Sequence, residues 1–349
     1  MEKKDPLILG VLLRLIIIWT SFTFGKRGIF ANPYFDGILD FGDIKFVWEQ
    51  YAEWTWEGYV PYNDFNIEFP PLFIVIIIVP YAMFKTIGIW SYEIWFAIWI
   101  TLADSLIIKV LKTMSHEKNL EMARSAAWIW AMFPPIPLLL LARFDSWPIL
   151  FLLLAIKFDR EEKISMASIC AMLGAWIKFF PGLYLIAIFM KVRARRKKLS
   201  QALVGSFIGS LPTLGFVLFH NGSIQGLLWI VKFHMAKGPY PASFPAFTSL
   251  IFGSPPYFKE IFLVVYLLSI LGAVSMKPNE QGMFLSLSIF AVFNWHFTPQ
   301  YFLWSFPLAF SQKKKVLSVN LLVYTIAFGI QTYVNIFSYT VPGYIPKLK

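Results

Sequence analysis

Apolar runs separated by short polar breaks fill most of this chain. They fall at Leu7–Phe24, Leu72–Ile87 and at about 91–111, 124–142, 146–158, 164–190, 201–219, 259–276, 282–298, 301–312 and 316–337. Runs of this kind predict helices, and a full bilayer crossing takes ~20 residues. Several runs are shorter than that. The run 124–142 is interrupted by Pro134, Pro135 and Pro137, and 164–190 by Lys178-Phe179-Phe180-Pro181. Broken helices at membrane depth line a cavity as a rule, because freed backbone groups need partners that lipid cannot supply. The expected fold class is an all-α polytopic membrane protein with roughly nine to eleven membrane segments.

One long stretch breaks the pattern. Asp36 to Leu72 is polar and carries eight acidic residues. It lies in a predicted first outer loop, 25–70. Within it, Asp43–Trp56 has helical spacing, with Val47, Gln50, Tyr51 and Trp54 on one face and Glu49, Glu53 and Glu57 on another. An aromatic face opposite an acidic one predicts a helix lying flat at the headgroups. Gly58 ends it and Pro61 follows as a stop, while Pro70-Pro71 opens the next run. A second outer loop is expected at 220–258, rich in turn residues and carrying Lys232, His234 and Lys237.

Composition sharpens the membrane reading. The 349 residues are 58% hydrophobic and 15% charged, with a mean hydropathy of +0.62, more than a soluble core requires. The formal charge of +11 is clustered: six cations lie in Lys191–Lys198, three in Lys313–Lys315, and Lys3 and Lys4 precede the first run. Short basic loops mark the cytoplasmic side, which places the N-terminus inside. Nucleic-acid binding is excluded because no soluble domain presents the basic residues. The first run lacks a small-x-small cleavage site and reads as an uncleaved anchor. One cysteine and four scattered histidines leave no intramolecular disulfide, no cysteine-based metal cluster and no structural-zinc spacing; no cofactor is expected, and a metal requirement stays open.

The spans do not count consistently. Working back from the basic loops puts 112–123 inside, whereas two crossings after the outer loop return it outside. Either one of the runs 72–87 and 91–111 fails to cross fully, or 164–190 is a single crossing. No internal repeat or linker divides the chain, so residues 1–349 are expected to form one integral membrane domain.

Chemistry concentrates on the outer side. Asp43 opens the interfacial helix, where it serves either as a cap or as a base, with Asp36, Asp40 and Glu68 nearby in sequence. Lys178 is a lone charge between apolar runs, and Arg143 and Asp145 flank a break where they suit a structural pair or a site. His296 precedes a proline break. Lys178, Arg143 and His296 on one face would form an anion pocket. Acids and cations at one membrane face suit removing a proton from one substrate while stabilising an anionic leaving group on another. They also suit a lipid or solute transporter that uses Asp104, Asp145 and Lys178 as a relay, or a non-catalytic scaffold.

Specific motifs favour the first of these. Gly42-Asp43, Glu57-Gly58-Tyr59-Val60-Pro61-Tyr62 and Glu68-Phe69-Pro70-Pro71-Leu72 are followed by Ala103-Asp104-Ser105, Phe133-Pro134, Arg143-Phe144-Asp145-Ser146, Ile177-Lys178-Phe179-Phe180-Pro181 and Phe293-Asn294 with Pro299-Gln300-Tyr301-Phe302-Leu303-Trp304. In this order they resemble the GT-C glycosyltransferases, most of all the polyprenyl-phosphate-mannose-dependent group. That group includes the first mannosyltransferase of GPI-anchor synthesis and bacterial and archaeal α-mannosyltransferases. The resemblance implies a GT-C fold and inverting transfer of a hexose, most simply mannose. The donor would be a polyprenyl (dolichyl) phosphate and the acceptor lipid-linked or glycan, at the extracytoplasmic face of the cell membrane. It implies Asp43 as general base, with Asp36 and Asp40 as rivals, and His296 on the donor phosphate, where charge adds Lys178 and Arg143. Glu68, Asp145, Gln300, Tyr301, Lys237 and His234 are the expected substrate contacts. One departure is Lys45, which stands where the GPI enzyme's loop has a second aspartate. A metal-dependent mechanism does not carry over.

Overall fold

The computed structural model describes residues 5–24, 35–36, 39–114, 120–219, 224–236, 258–294, 300–311 and five positions between 319 and 326. Among these, the chain is helical almost throughout. Paired strands are confined to a two-residue antiparallel ladder, β1 (Phe35–Asp36) on β2 (Leu39–Asp40).

The apolar runs become helices. They are α1 (Pro6–Phe24), α3 (Phe73–Ile87), α4 (Tyr92–Met114), α7 (Ser146–Arg160) and α10 (Arg196–Phe219). The two proline-broken runs split, giving α5 (Leu120–Met132) with α6 (Pro135–Leu140), and α8 (Ile164–Ile177) with α9 (Gly182–Val192). A proline ring clashes with the carbonyl four residues back, which is why neither run continues through its break. Later come α11 (Ile224–Ala236), α12 (Phe258–Met276), α13 (Glu280–Phe293) and α14 (Gln300–Ser305). Asn279 opens α13 by accepting from Gln281 N (2.9 Å) and Gly282 N (3.2 Å).

Among the described residues, three helices are long and apolar enough to cross a membrane: Pro6–Thr23, Tyr92–Met114 and Arg196–Leu218. On α10, Leu203, Phe207, Leu211, Leu214 and Leu218 stand exposed along one face. A stripe of that length belongs against lipid rather than water.

The helices order into two ends. Trp99 of α4 packs on Trp147 of α7 at 4.5 Å, and Ser146 Oγ donates to Asp104 (2.8 Å), so α7 starts level with the middle of α4. Both helices then run in parallel through a core that holds Ile107, Leu111, Leu153 and Ile156. They finish at a charged end. There Lys112 pairs with Asp5 (2.7 Å), Lys191 with Asp159 (2.9 Å) and Arg160 with Glu280. By contrast, α3 keeps to the opposite end. Leu72 N donates to Trp176 O at the foot of α8 (2.9 Å), and Tyr92 Oη donates to Ile77 O (3.3 Å). This helix therefore overlaps only the first turns of α4, in a second core with Phe96 and Ile100.

One buried charge cluster ties the frame together. Arg14 and Asp104 are fully buried and joined at 2.7 Å. The same guanidinium donates to the carbonyls of Gly10 (3.0 Å), Ala131 (3.1 Å) and Trp130 (3.1 Å), and Ser146 takes the second Asp104 oxygen. Gly10 permits the approach, since a Cβ there would meet Ile108 at 2.9 Å and Ala131 at 3.0 Å.

The acidic stretch also forms a helix, with a local irregularity. Residues Ile44–Trp48 make a π-helical turn that runs into α2 (Glu49–Trp56). Val47 and Tyr51 of the expected aromatic face are buried, but the wider turn also buries Trp48 and Ala52. Gly58, at φ 98°, ends the element where the sequence placed its stop.

A candidate site at four helix breaks

Four chain breaks meet at the end of the molecule where α3 packs. The first is the start of the π-helical turn, which presents Asp43. Its backbone is helical and its side chain makes no capping hydrogen bond, so the cap role is not the one it plays. Instead the carboxylate, half-exposed at 56%, reaches Arg143 at 3.3 Å.

The second break, between α6 and α7, supplies Arg143, Phe144 and Asp145. Arg143 Nε also donates to Gln300 Oε1 (3.3 Å) at the start of α14, and Nη1 to Ala142 O (3.0 Å). One guanidinium thus joins an acidic-loop aspartate to Gln300, which lies 157 positions beyond the arginine itself. Arg143 and Asp145 do not pair with each other as expected of two caps; each takes a partner from elsewhere.

The third break, between α8 and α9, supplies Lys178. Its backbone is extended (φ −156°, ψ 133°), ahead of Pro181, and the turn sends the side chain inward. Lys178 Nζ donates to Asp145 Oδ1 at 2.7 Å, with Asp145 fully buried. Three rings surround the ammonium: Phe144 at 4.5 Å, Trp304 at 4.9 Å and Phe69 at 5.8 Å. A desolvated cation over aromatic faces gains on the order of 2 kcal/mol. Asp43 and Arg143 lie within electrostatic reach of the same ammonium.

The fourth break, ahead of α14, supplies Gln300, Tyr301 and Trp304. Trp304 Nε1 donates to the Asp145 oxygen that Lys178 also uses (2.5 Å), and its ring stacks on Phe180 at 4.1 Å. Tyr301 packs on Trp304 at 4.5 Å. The other Asp145 oxygen, Oδ2, is buried without a partner among the described residues.

Glu68 belongs to the floor of this region. Tyr51 Oη donates to Glu68 Oε2 (2.7 Å), and His234 Nε2 lies 2.9 Å from the Glu68 carbonyl oxygen. The helix α11 that carries His234 sits hard on the loop, because a Cβ on Gly226 would lie 2.0 Å from Tyr62 O.

Asp43–Arg143–Gln300 and Lys178–Asp145–Trp304 are therefore two bonded sets side by side, within electrostatic reach of each other, with Tyr301 packed on Trp304 and Glu68 held by Tyr51 nearby. Asp36 and Asp40 stand on the two strands of the short ladder. Their side chains, together with Lys237 and His296, lie outside the described residues. Trp304 as a ligand of Asp145 was not foreseen, although an indole N–H beside an apolar break is a signal for a buried acceptor. Arg14, the buried partner of Asp104, was also missed. Its signal was plain: a lone arginine inside an apolar run demands a partner.

Chemically, the group offers one half-exposed carboxylate, one shared guanidinium, and a lysine whose charge Asp145 already offsets. The cation that touches the half-exposed carboxylate is Arg143. No family model matches this chain, and no curated protein matches it.

Proposed function

We propose that the chain is a GT-C-type inverting glycosyltransferase, a single membrane domain. It would move a hexose, mannose in the simplest case, from a polyprenyl phosphate to a lipid-linked or glycan acceptor on the extracytoplasmic face. The observation that carries this reading is the Asp43–Arg143–Gln300 connection, because it places an exposed acid of the polar loop against a cation rooted in the membrane helices. With the charged end inside, α1 and α4 cross, and α3 stays at the outer side with the site. That arrangement removes the conflict in counting spans.

In this reading, Asp43 takes the proton of the acceptor hydroxyl as its oxygen attacks the anomeric carbon. The bond from that carbon to the phosphate oxygen breaks, and the lipid phosphate leaves with the electron pair. Arg143 stabilises the developing negative charge. It pairs with Asp43 at rest, so an arriving donor phosphate competes for the guanidinium and leaves the carboxylate to the acceptor. Bidentate binding makes an arginine suited to that exchange. Lys178, already offset by Asp145, shapes the pocket rather than binding phosphate alone.

The test is sugar transfer in liposomes from radiolabelled polyprenyl-phosphate mannose to a native lipid extract. Wild type is expected to form a labelled product, and Asp43→Asn about 10²-fold less or lower at an unchanged melting temperature. Normal activity in Asp43→Asn would move the base to Asp36 or Asp40. No transfer by wild type from any polyprenyl-phosphate sugar, with solute or lipid flux instead, would replace the enzyme with a transporter.

A further inference from the structure

We propose that the turn between α9 and α10, at the charged end, is a binding site for one anionic phospholipid. The turn is tight, with Arg195 N donating to Val192 O at 2.8 Å, and α10 begins at the next residue. Of its six cations, two fasten it to the frame: Lys191 pairs with Asp159 at the end of α7, and Lys198 with Glu162 in the α7–α8 turn. Arg195 is within electrostatic reach of Glu162 as well. That leaves Arg193, Arg196 and Lys197, all exposed, with no acidic partner among the described residues. Three exposed cations on a turn whose flanking lysines are fastened to the frame have the character of a phosphate site rather than of a loose basic tail.

The helix face supplies the second half of the ligand. Arg196 is followed at helical spacing by Leu203, Phe207, Leu211, Leu214 and Leu218, all exposed, and Lys197 by Val204 and Ile208. The cations therefore head the same stripe that faces outward along α10. From Leu203 to Leu218 the stripe rises about 22 Å, more than the ~15 Å hydrocarbon depth of one leaflet. A headgroup phosphate at Arg193, Arg196 and Lys197 would set its acyl chains on this stripe. Neither a free anion nor a nucleic acid uses both parts. This inference does not depend on the transfer reaction.

The experiment reconstitutes the full chain in vesicles of equal phosphatidylcholine and phosphatidylglycerol, extracts it in mild detergent, and quantifies co-purifying lipid by mass spectrometry. Wild type is expected to retain phosphatidylglycerol about tenfold over phosphatidylcholine. The triple variant Arg193→Gln/Arg196→Gln/Lys197→Gln should fall to the bulk ratio, while Lys277→Gln, an exposed cation of the same end, should match wild type. Equal retention of the two lipids by wild type overturns the proposal whether or not the triple variant folds. So does enrichment that survives in a folded triple variant, or phosphatidylglycerol that millimolar inorganic phosphate displaces completely.

Discussion

Two buried ion pairs sit on either side of the Asp145–Ser146 junction, and they are finished differently. At Arg14–Asp104, the donors and acceptors are met by a carboxylate, three carbonyls and a serine, and both side chains are fully buried. At Lys178–Asp145, one carboxylate oxygen takes two donors while the other has no partner among the described residues, and the neighbouring Arg143 leads out to half-exposed Asp43. The residues Asp145 and Ser146 are adjacent, yet one faces each cluster. A saturated buried pair fixes helices in one arrangement, whereas an incompletely satisfied one beside a surface carboxylate retains capacity for a ligand. The first cluster is a fastener. The second is where the proposed transfer would take place.

Stability and activity should separate the two. Arg14→Met leaves Asp104 as an uncompensated charge among α1, α4, α5 and α7, and should cost about 3–5 kcal/mol. Adding Asp104→Leu should recover most of that loss, because an apolar pair removes the desolvation penalty along with the attraction. Melting temperatures in detergent would read both steps, and transfer should return with stability. At the other cluster, Lys178→Met with Asp145→Leu should likewise keep the protein folded. Transfer, however, should fall on the order of 10²-fold, since the aromatic pocket loses its cation beside Arg143. Full activity in that folded double variant would make the second cluster a fastener too, and erase the distinction.

The contrast also explains what could be read from the sequence. Helix positions were legible because hydrophobic period and proline breaks are local: the run 164–190 splits at Lys178–Pro181 as its sequence demands, and Gly58 stops α2. Lys178, Arg143 and Asp145 stood out because a charge in an apolar run is rare. Their partners did not. Lys178 and Asp145 are 33 residues apart, and Arg143 and Gln300 are 157 apart, so the pairing depends on how helices pack rather than on spacing. The π-helical turn at Ile44–Trp48 rotated the face of α2 and buried Trp48, and helical periodicity has no means of signalling an extra residue in a turn. The span count stayed open in the sequence for a related reason. Composition makes α3 apolar, but only contacts with Trp176 and Tyr92 show that it overlaps one end of α4.

The smallest effect concerns the rim. Glu49, on α2, is partly buried and faces Glu93 and Glu53, with Lys85 and Lys45 opposing them. Burial first, and then the two carboxylates, push its carboxyl up to about 7 from an ordinary value of 4.5. A carboxyl whose folded value is raised binds its proton more tightly in the folded state. Its ionised form therefore destabilises the fold fully above about pH 7, and the penalty fades as pH falls toward 4.5. Replacing it by glutamine removes the charge and keeps the shape. Glu49→Gln should raise stability at pH 8 by on the order of 1–2 kcal/mol after discounting for solvent screening, and leave it unchanged near pH 4.5. Melting curves at the two pH values check this. A gap equal at both would assign the effect to packing instead of titration. Transfer activity of Glu49→Gln should match wild type at pH 7, because Glu49 shares no contact with Asp43 or Arg143. Matching activity would make the titrating carboxyl a property of the loop's acidic face, separate from the proposed base Asp43, which lies outside that face and meets Arg143.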